Sequence, residues 1–282
     1  MTNVITFPGL GLDFEVSRVA FRIFGLPIYW YGILIALGLV LAILYGVHES
    51  KRVGLDQDDL LNMILIAVPI AIICARLYYV LFSWEMYRDD PLSVFDIRSG
   101  GLAIYGGVIG ACAVIFCYCR IKHISMGAVL DVLAVGLLIG QAVGRWGNFV
   151  NGEAFGCATD LPWAMSIEQD GKSIAQGVHP TFFYESMWNL AGIGLLLLYK
   201  RGQKFRGEIF CGYLTWYGLG RMWIEGLRAD SLYLGNLRIS QFLAILTVAL
   251  GIILILYGRG HWNMKPLAEA EAAEEESEEI PE

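Results

Sequence analysis

Seven stretches of this chain are long and apolar enough to leave little choice of architecture: residues 27–47, 60–83, 101–119, 126–145, 181–199, 207–226 and 239–257. A helix needs about 20 such residues to cross roughly 30 Å of hydrocarbon. None of the stretches alternates as the strands of a membrane barrel do. Inside a bilayer each span must satisfy its own backbone polar groups, which leaves helices. The fold class expected is all-α, a polytopic integral membrane protein with seven transmembrane helices. Composition agrees, with only 17% charged residues against about 25% in soluble domains.

One membrane domain is expected over residues 1–266, with a small extracytoplasmic head formed by a loop at about 151–180. Eight glutamates within residues 269–282 outweigh the whole formal charge of −7. That run reads as a disordered, solvated tail over 267–282. The first residues lack the basic segment and cleavage site of a signal peptide, so the first span is expected to act as an uncleaved anchor. The six cysteines show no paired spacing for disulfides or zinc. Neither a metal nor a cofactor is expected, and no nucleic-acid partner.

Orientation follows from Lys and Arg near the span ends. Connections after spans one, three, five and seven hold ten basic residues, among them Lys51, Arg52, Arg120, Lys200 and Arg206. The other side holds seven, including Arg18, Arg88, Lys172 and Arg228, over longer segments. The N-terminus is therefore expected outside and the acidic tail in the cytoplasm. On that map the polar residues within the spans sort to the outer leaflet: Tyr31, Arg76, Tyr105, Arg145, Glu185, Arg221 and Gln241.

A guanidinium at bilayer depth costs about 2.5–3.5 kcal/mol even on lenient scales, so it faces a partner or a wet cavity. Gln141, Arg145, Asn148 and Gly152 follow one another at helical spacing and form one stripe. Gly140 and Gly144 carry the small-residue spacing that lets another helix approach. In the sixth span Tyr213, Tyr217, Arg221 and Glu225 recur every four residues, with Arg228 three further on. Glu225 would fix Arg221 or Arg228 rather than act as a base. In the fifth, Pro180 suits a first helical turn, and Glu185 with Asn189 shares an inward face. His179 reads as structural more readily than catalytic. Arginine matches phosphate oxygens bidentately, so the pattern points to an anionic lipid headgroup.

The segment Gly144-Arg145-Trp146-Gly147-Asn148-Phe149-Val150-Asn151-Gly152-Glu153 resembles the signature of bacterial prolipoprotein diacylglyceryl transferases. The resemblance extends in order through Trp30-Tyr31-Gly32, Ala75-Arg76-Leu77, Tyr105-Gly106-Gly107, His179-Pro180, Tyr184-Glu185, Tyr217-Gly218, Arg221, Glu225 and Arg228, and leaves only the tail unmatched. It implies an enzyme of the bacterial plasma (inner) membrane that begins lipoprotein maturation. The diacylglyceryl group of phosphatidylglycerol passes to the lipobox cysteine thiol of a preprolipoprotein signal peptide, giving a thioether and glycerol 1-phosphate. By position, Arg145 and Arg221 become the phosphate-binding pair, completed by Asn148, Asn151, Glu153 and Gly156. Tyr31, Tyr217, Arg76, Glu225 and Arg228 fall at the same site.

Several relatives carry histidine where this chain has Tyr105, and a phenol is a poor base at neutral pH. Either Tyr105 is ionised by nearby arginines, or Glu153, His179 or the departing phosphate takes the thiol's proton. Two rival classes stay open: an anion conduit, disfavoured by the aliphatic inner halves of spans one, five and seven, and a non-catalytic lipid-dependent scaffold.

Overall fold

In a computed structural model the chain is described over residues 2–97, 100–228, 233–234 and 237–261; the acidic tail lies outside them. Seven helices follow the seven apolar stretches: α1 (Trp30–Ser50), α2 (Gln57–Phe82), α3 (Ile104–Lys122), α4 (Met126–Asn151), α5 (Thr181–Tyr199), α6 (Glu208–Leu227) and α7 (Ile239–His261). Five of them, α1 to α4 and α7, are long and apolar enough to cross a membrane. The expected count of seven spans is supported only that far. In α5 and α6 the buried Glu185, Asn189 and Glu225 interrupt the apolar run. The outward residues of α7, such as Leu246, Ile253 and Leu256, are exposed and apolar, as a lipid-facing surface would be.

The all-α expectation needs correction, because strands flank the helices. They are β1 (Thr2–Phe7), β2 (Leu12–Ser17), β3 (Val19–Ile23), β4 (Leu26–Tyr29), β5 (Met165–Gln169), β6 (Lys172–Val178), β7 (Tyr233–Leu234) and β8 (Leu237–Arg238). Four form an antiparallel sheet in the order β2-β1-β5-β6, with Ile5 opposite both Phe14 and Ile167. Asp170 and Gly171 turn between β5 and β6, both at positive φ; an Asp-Gly pair suits that two-residue turn. One face of the sheet is the core of Ile5, Met165, Ile167 and Val178, closed by Phe149 of α4 and Phe182 of α5. The sheet is thereby seated on the ends of those two helices.

Two compact units divide the chain. The first comprises Met1–Tyr45 with Leu130–Glu282, the second Gly46–Val129. Within the first, α1 and α4 approach through small residues: a Cβ on Gly38 would stand 3.2 Å from the Gly140 Cα, and one on Gly144 would touch Ile35. The small-residue face expected on α4 is thus used against α1. Within the second, α2 and α3 pack as closely. A Cβ on Gly110 would lie 2.8 Å from Cys74, and Gly106 meets the Cys74 carbonyl.

The first unit also holds a polar cluster that the sequence reading placed nowhere. Asp131 of α4 is 3% exposed and accepts from the Gly207 and Phe210 amides and from Gln203 Nε2, at 2.6, 3.0 and 2.6 Å. It caps α6 from a neighbouring helix, since four N–H groups at a helix start need partners. Beside it Glu208, fully buried, accepts from Tyr199 and Arg259. Asp131 lies fourteen residues before Arg145, about 21 Å along the helix. Polar residues therefore gather at two levels of this unit, not at one. Asp131→Ala strands three buried donors, so stability should fall by about 3 kcal/mol; thermal unfolding in detergent would register it, and an unmoved midpoint would count against the capping role.

Candidate functional site

At the other end of the first unit, helical spacing presents polar residues of three helices to one another. Glu185 stands in the second turn of α5, on the buried face it shares with Ser186 and Asn189. Arg221 and Glu225 share one face of α6, and Arg228 ends that helix, its amide bound to the Glu225 carbonyl. Arg145 comes from the last two turns of α4.

These side chains form one network. Arg145 Nη2 lies 2.5 Å from Glu185 Oε2. Arg221 Nη2 lies 2.6 Å from Glu225 Oε2, and its Nη1 3.6 Å from Glu185 Oε1. Arg228 stands 3.7 Å from Glu185 and 4.0 Å from Glu225. The carboxylates are nearly buried, while the guanidiniums keep 14–23% of their side-chain surface. Among the described residues the network joins Arg145, Arg221 and Arg228 to Glu185 and Glu225, and Arg238 donates to the Glu225 carbonyl. Glu185, expected only as an inward-facing residue, turns out to join all three arginines. Gln241, at the start of α7, donates to the Met222 carbonyl at 2.8 Å and so serves the end of α6.

Two tryptophans, also missed in the sequence, fix α5 against α6. The Trp188 and Trp216 indoles stack with centroids 4.2 Å apart. Each Nε1 donates to the other residue's carbonyl, at 3.0 and 2.9 Å. Each ring also lies on a glycine of the opposite helix, Trp188 on Gly220 and Trp216 on Gly192. The signal was legible: Trp188-x-x-x-Gly192 and Trp216-x-x-x-Gly220 repeat one spacing. Glu185 precedes one indole by a turn and Arg221 follows one glycine, so this clasp holds the carboxylate and the guanidinium level.

α4 runs six residues beyond its expected end, which brings Asn148 and Asn151 into the helix. Both side-chain amides donate to Glu153 Oε1, at 3.2 and 3.1 Å, in a turn where Gly152 has φ +65°. Arg18 holds the Asn151 carbonyl at 2.6 Å. Gly156 is a point of close backbone approach: its amide donates to the His179 carbonyl at 2.9 Å, and a Cβ there would stand 2.6 Å from His179 and 2.8 Å from the Leu227 carbonyl. It ties the loop to α5 and α6. Tyr31 packs its ring on Gly147, where a Cβ would fall 2.5 Å from Cδ2. Tyr217 stacks on Tyr213, which receives a hydrogen bond from Gln141 at 3.0 Å. His179 Nδ1 lies 3.3 Å from the Tyr184 hydroxyl.

Arg76 and Tyr105 belong to the second unit. Arg76 is 5% exposed and directs Nε, Nη1 and Nη2 to the carbonyls of Val94, Gly100, Ser93 and Asp96, at 2.7–2.9 Å. Its guanidinium organises the loop between α2 and α3. Tyr105 is exposed in the first turn of α3. Among the described residues no group of three or more His, Cys, Asp or Glu is placed to hold a metal ion.

The model of the prolipoprotein diacylglyceryl transferase family matches residues 18–257. The chain belongs to that family. A phosphatidylglycerol–prolipoprotein diacylglyceryl transferase of Clostridioides difficile is 46% identical over 242 residues, covering 86% of this chain and 95% of the relative. Proteins of the same name from Enterococcus faecalis and Bacillus cytotoxicus are 43% and 44% identical, each covering 89% of this chain and 94% and 95% of their own. The chain is thus a membrane protein and a transferase of lipoprotein biosynthesis, as the signature at Gly144–Glu153 implied. The family match takes in all the arginines of the cluster and leaves β1 and β2 outside it.

Proposed function

We propose that this protein transfers the diacylglyceryl group of phosphatidylglycerol to the lipobox cysteine of preprolipoproteins, in the outer leaflet of the bacterial inner membrane. All seven helices cross that membrane in this reading, with the N-terminus outside and the tail in the cytoplasm. The arginine cluster carries it. A phosphodiester is an anion that forked guanidiniums match, at a level where a bare guanidinium is costly.

The acceptor reacts as thiolate, which a positive site favours. Sulfur attacks the glyceryl carbon, a carbon–sulfur bond forms, and the carbon–oxygen bond to phosphate breaks. Glycerol 1-phosphate leaves with a second negative charge. Arg145 and Arg221, held in place by Glu185, Glu225 and Arg228, stabilise that charge as it develops. Asn148, Asn151 and Glu153 are assigned to the edge of the lipid site with Tyr31 and Tyr217; the acceptor's proton goes to Tyr105, Glu153, His179 or the departing phosphate.

Purified protein, phosphatidylglycerol and a lipobox peptide test the reading directly. The expected result is stoichiometric release of glycerol phosphate and a thioether-modified peptide. No release, with lipid and peptide both soluble and the protein folded, would overturn it.

A further inference from the structure

The cleft between α5 and α6 continues past the ion network. Its walls include Glu185 and Arg221 at one level, and Asn189 and Tyr217 beside Gly220 at the next. Asn189 is only 5% exposed, yet among the described residues neither its amide nor the Tyr217 hydroxyl has a hydrogen-bond partner. Buried polar groups are nearly always hydrogen-bonded, so the buried Asn189, lining a cleft beside the half-buried Tyr217, marks a place for a ligand. Asn189 follows Glu185 by four residues and Tyr217 precedes Arg221 by four on the antiparallel helix. Both therefore lie about 6 Å further from the cluster end, on the same side.

We propose that Asn189, with Tyr217, binds an ester carbonyl of the donor lipid while Arg221 binds its phosphate. The inference rests on the reading that a glycerophospholipid is the donor. An ester carbonyl accepts hydrogen bonds and donates none, and an amide NH2 and a phenol are donors. In such a lipid the glyceryl carbons separate the phosphate from the carbonyls, so the two levels of the cleft hold the two ends of the segment that reacts. The carbon that receives the thiol then lies between Arg221 and Asn189. The Trp188–Trp216 clasp fixes the spacing of the levels.

The test compares diester phosphatidylglycerol with its diether analogue, which lacks the carbonyls, as donors for the full-length protein. Wild type should favour the diester in kcat/KM by about tenfold, the weight of one hydrogen bond. Asn189→Leu, of similar volume, should lose that factor with the diester alone and leave the peptide KM unchanged. Equal wild-type rates with both donors would overturn the proposal, and this result needs no variant to fold. Full diester activity in Asn189→Leu, or an equal loss on both donors, would overturn it too. If wild type transfers from neither lipid, the transferase reading fails. Protection against thermal unfolding still decides the subsite: greater protection by the diester supports it, and equal protection by both lipids ends it.

Discussion

Replacing Arg221 with alanine should abolish transfer, lowering the rate by about 10²–10³, while the protein still accumulates in the membrane. The guanidinium spans both carboxylates of the cluster, so its loss removes a phosphate donor and releases Glu185 and Glu225 from their shared partner. Arg145→Ala should fail as completely for a narrower reason, since among the described residues Arg145 is paired with Glu185 alone. Lysine at either position should recover little, because an ammonium cannot reproduce the fork. Labelled lipid and a lipobox peptide supply the measurement. Near-normal transfer by both alanine variants would remove the cluster from the chemistry.

Glu185→Ala is expected to have the largest effect on stability. Its carboxylate is buried and faces Arg145, Arg221 and Arg228. Without it Arg145 loses its carboxylate and Arg221 and Arg228 are left to Glu225, and breaking a buried ion pair of this kind costs roughly 3–5 kcal/mol. The thermal midpoint in detergent should fall well below that of wild type, and added phosphatidylglycerol should restore more of it than a zwitterionic lipid does. Glu185→Gln keeps an acceptor and should fall between the two. Wild-type stability in Glu185→Ala would show that the arginines are held by something else.

Hydropathy made the helices legible, because a bilayer demands the same long apolar run wherever it is crossed. α5 coincides with its expected stretch, α1 and α3 lie about one turn later than expected, and α2 starts about one turn earlier. The extension of α4 was hidden, since Trp146-Gly147-Asn148 reads as an interfacial ending while its packing partner Phe182 comes from a distant part of the chain. The sheet was missed for a related reason. Its strands are short, and Asp170-Gly171 is a two-residue signal in a stretch read as a loop. Arg145 and Arg221 were recognisable as charges in apolar surroundings, but the partner of a charge is a tertiary fact. Arg76 looked the same in sequence, yet the loop it organises takes up its guanidinium. Asp131 and Glu208 went unweighed because one cap and one ion pair, built from residues far apart in sequence, neutralise them.

The position of β1 sets an order of assembly. Ile5 pairs with Phe14 nearby but also with Ile167, and four long helices are made between those two residues. A hairpin of β1 and β2 can close early during synthesis, whereas its second edge waits, unpaired, until the β5–β6 hairpin has emerged and reached the same side. Such a late contact across the chain is slow to find and exposes a strand edge meanwhile. Cargo fused ahead of Thr2 would thus burden the last step of maturation rather than the first.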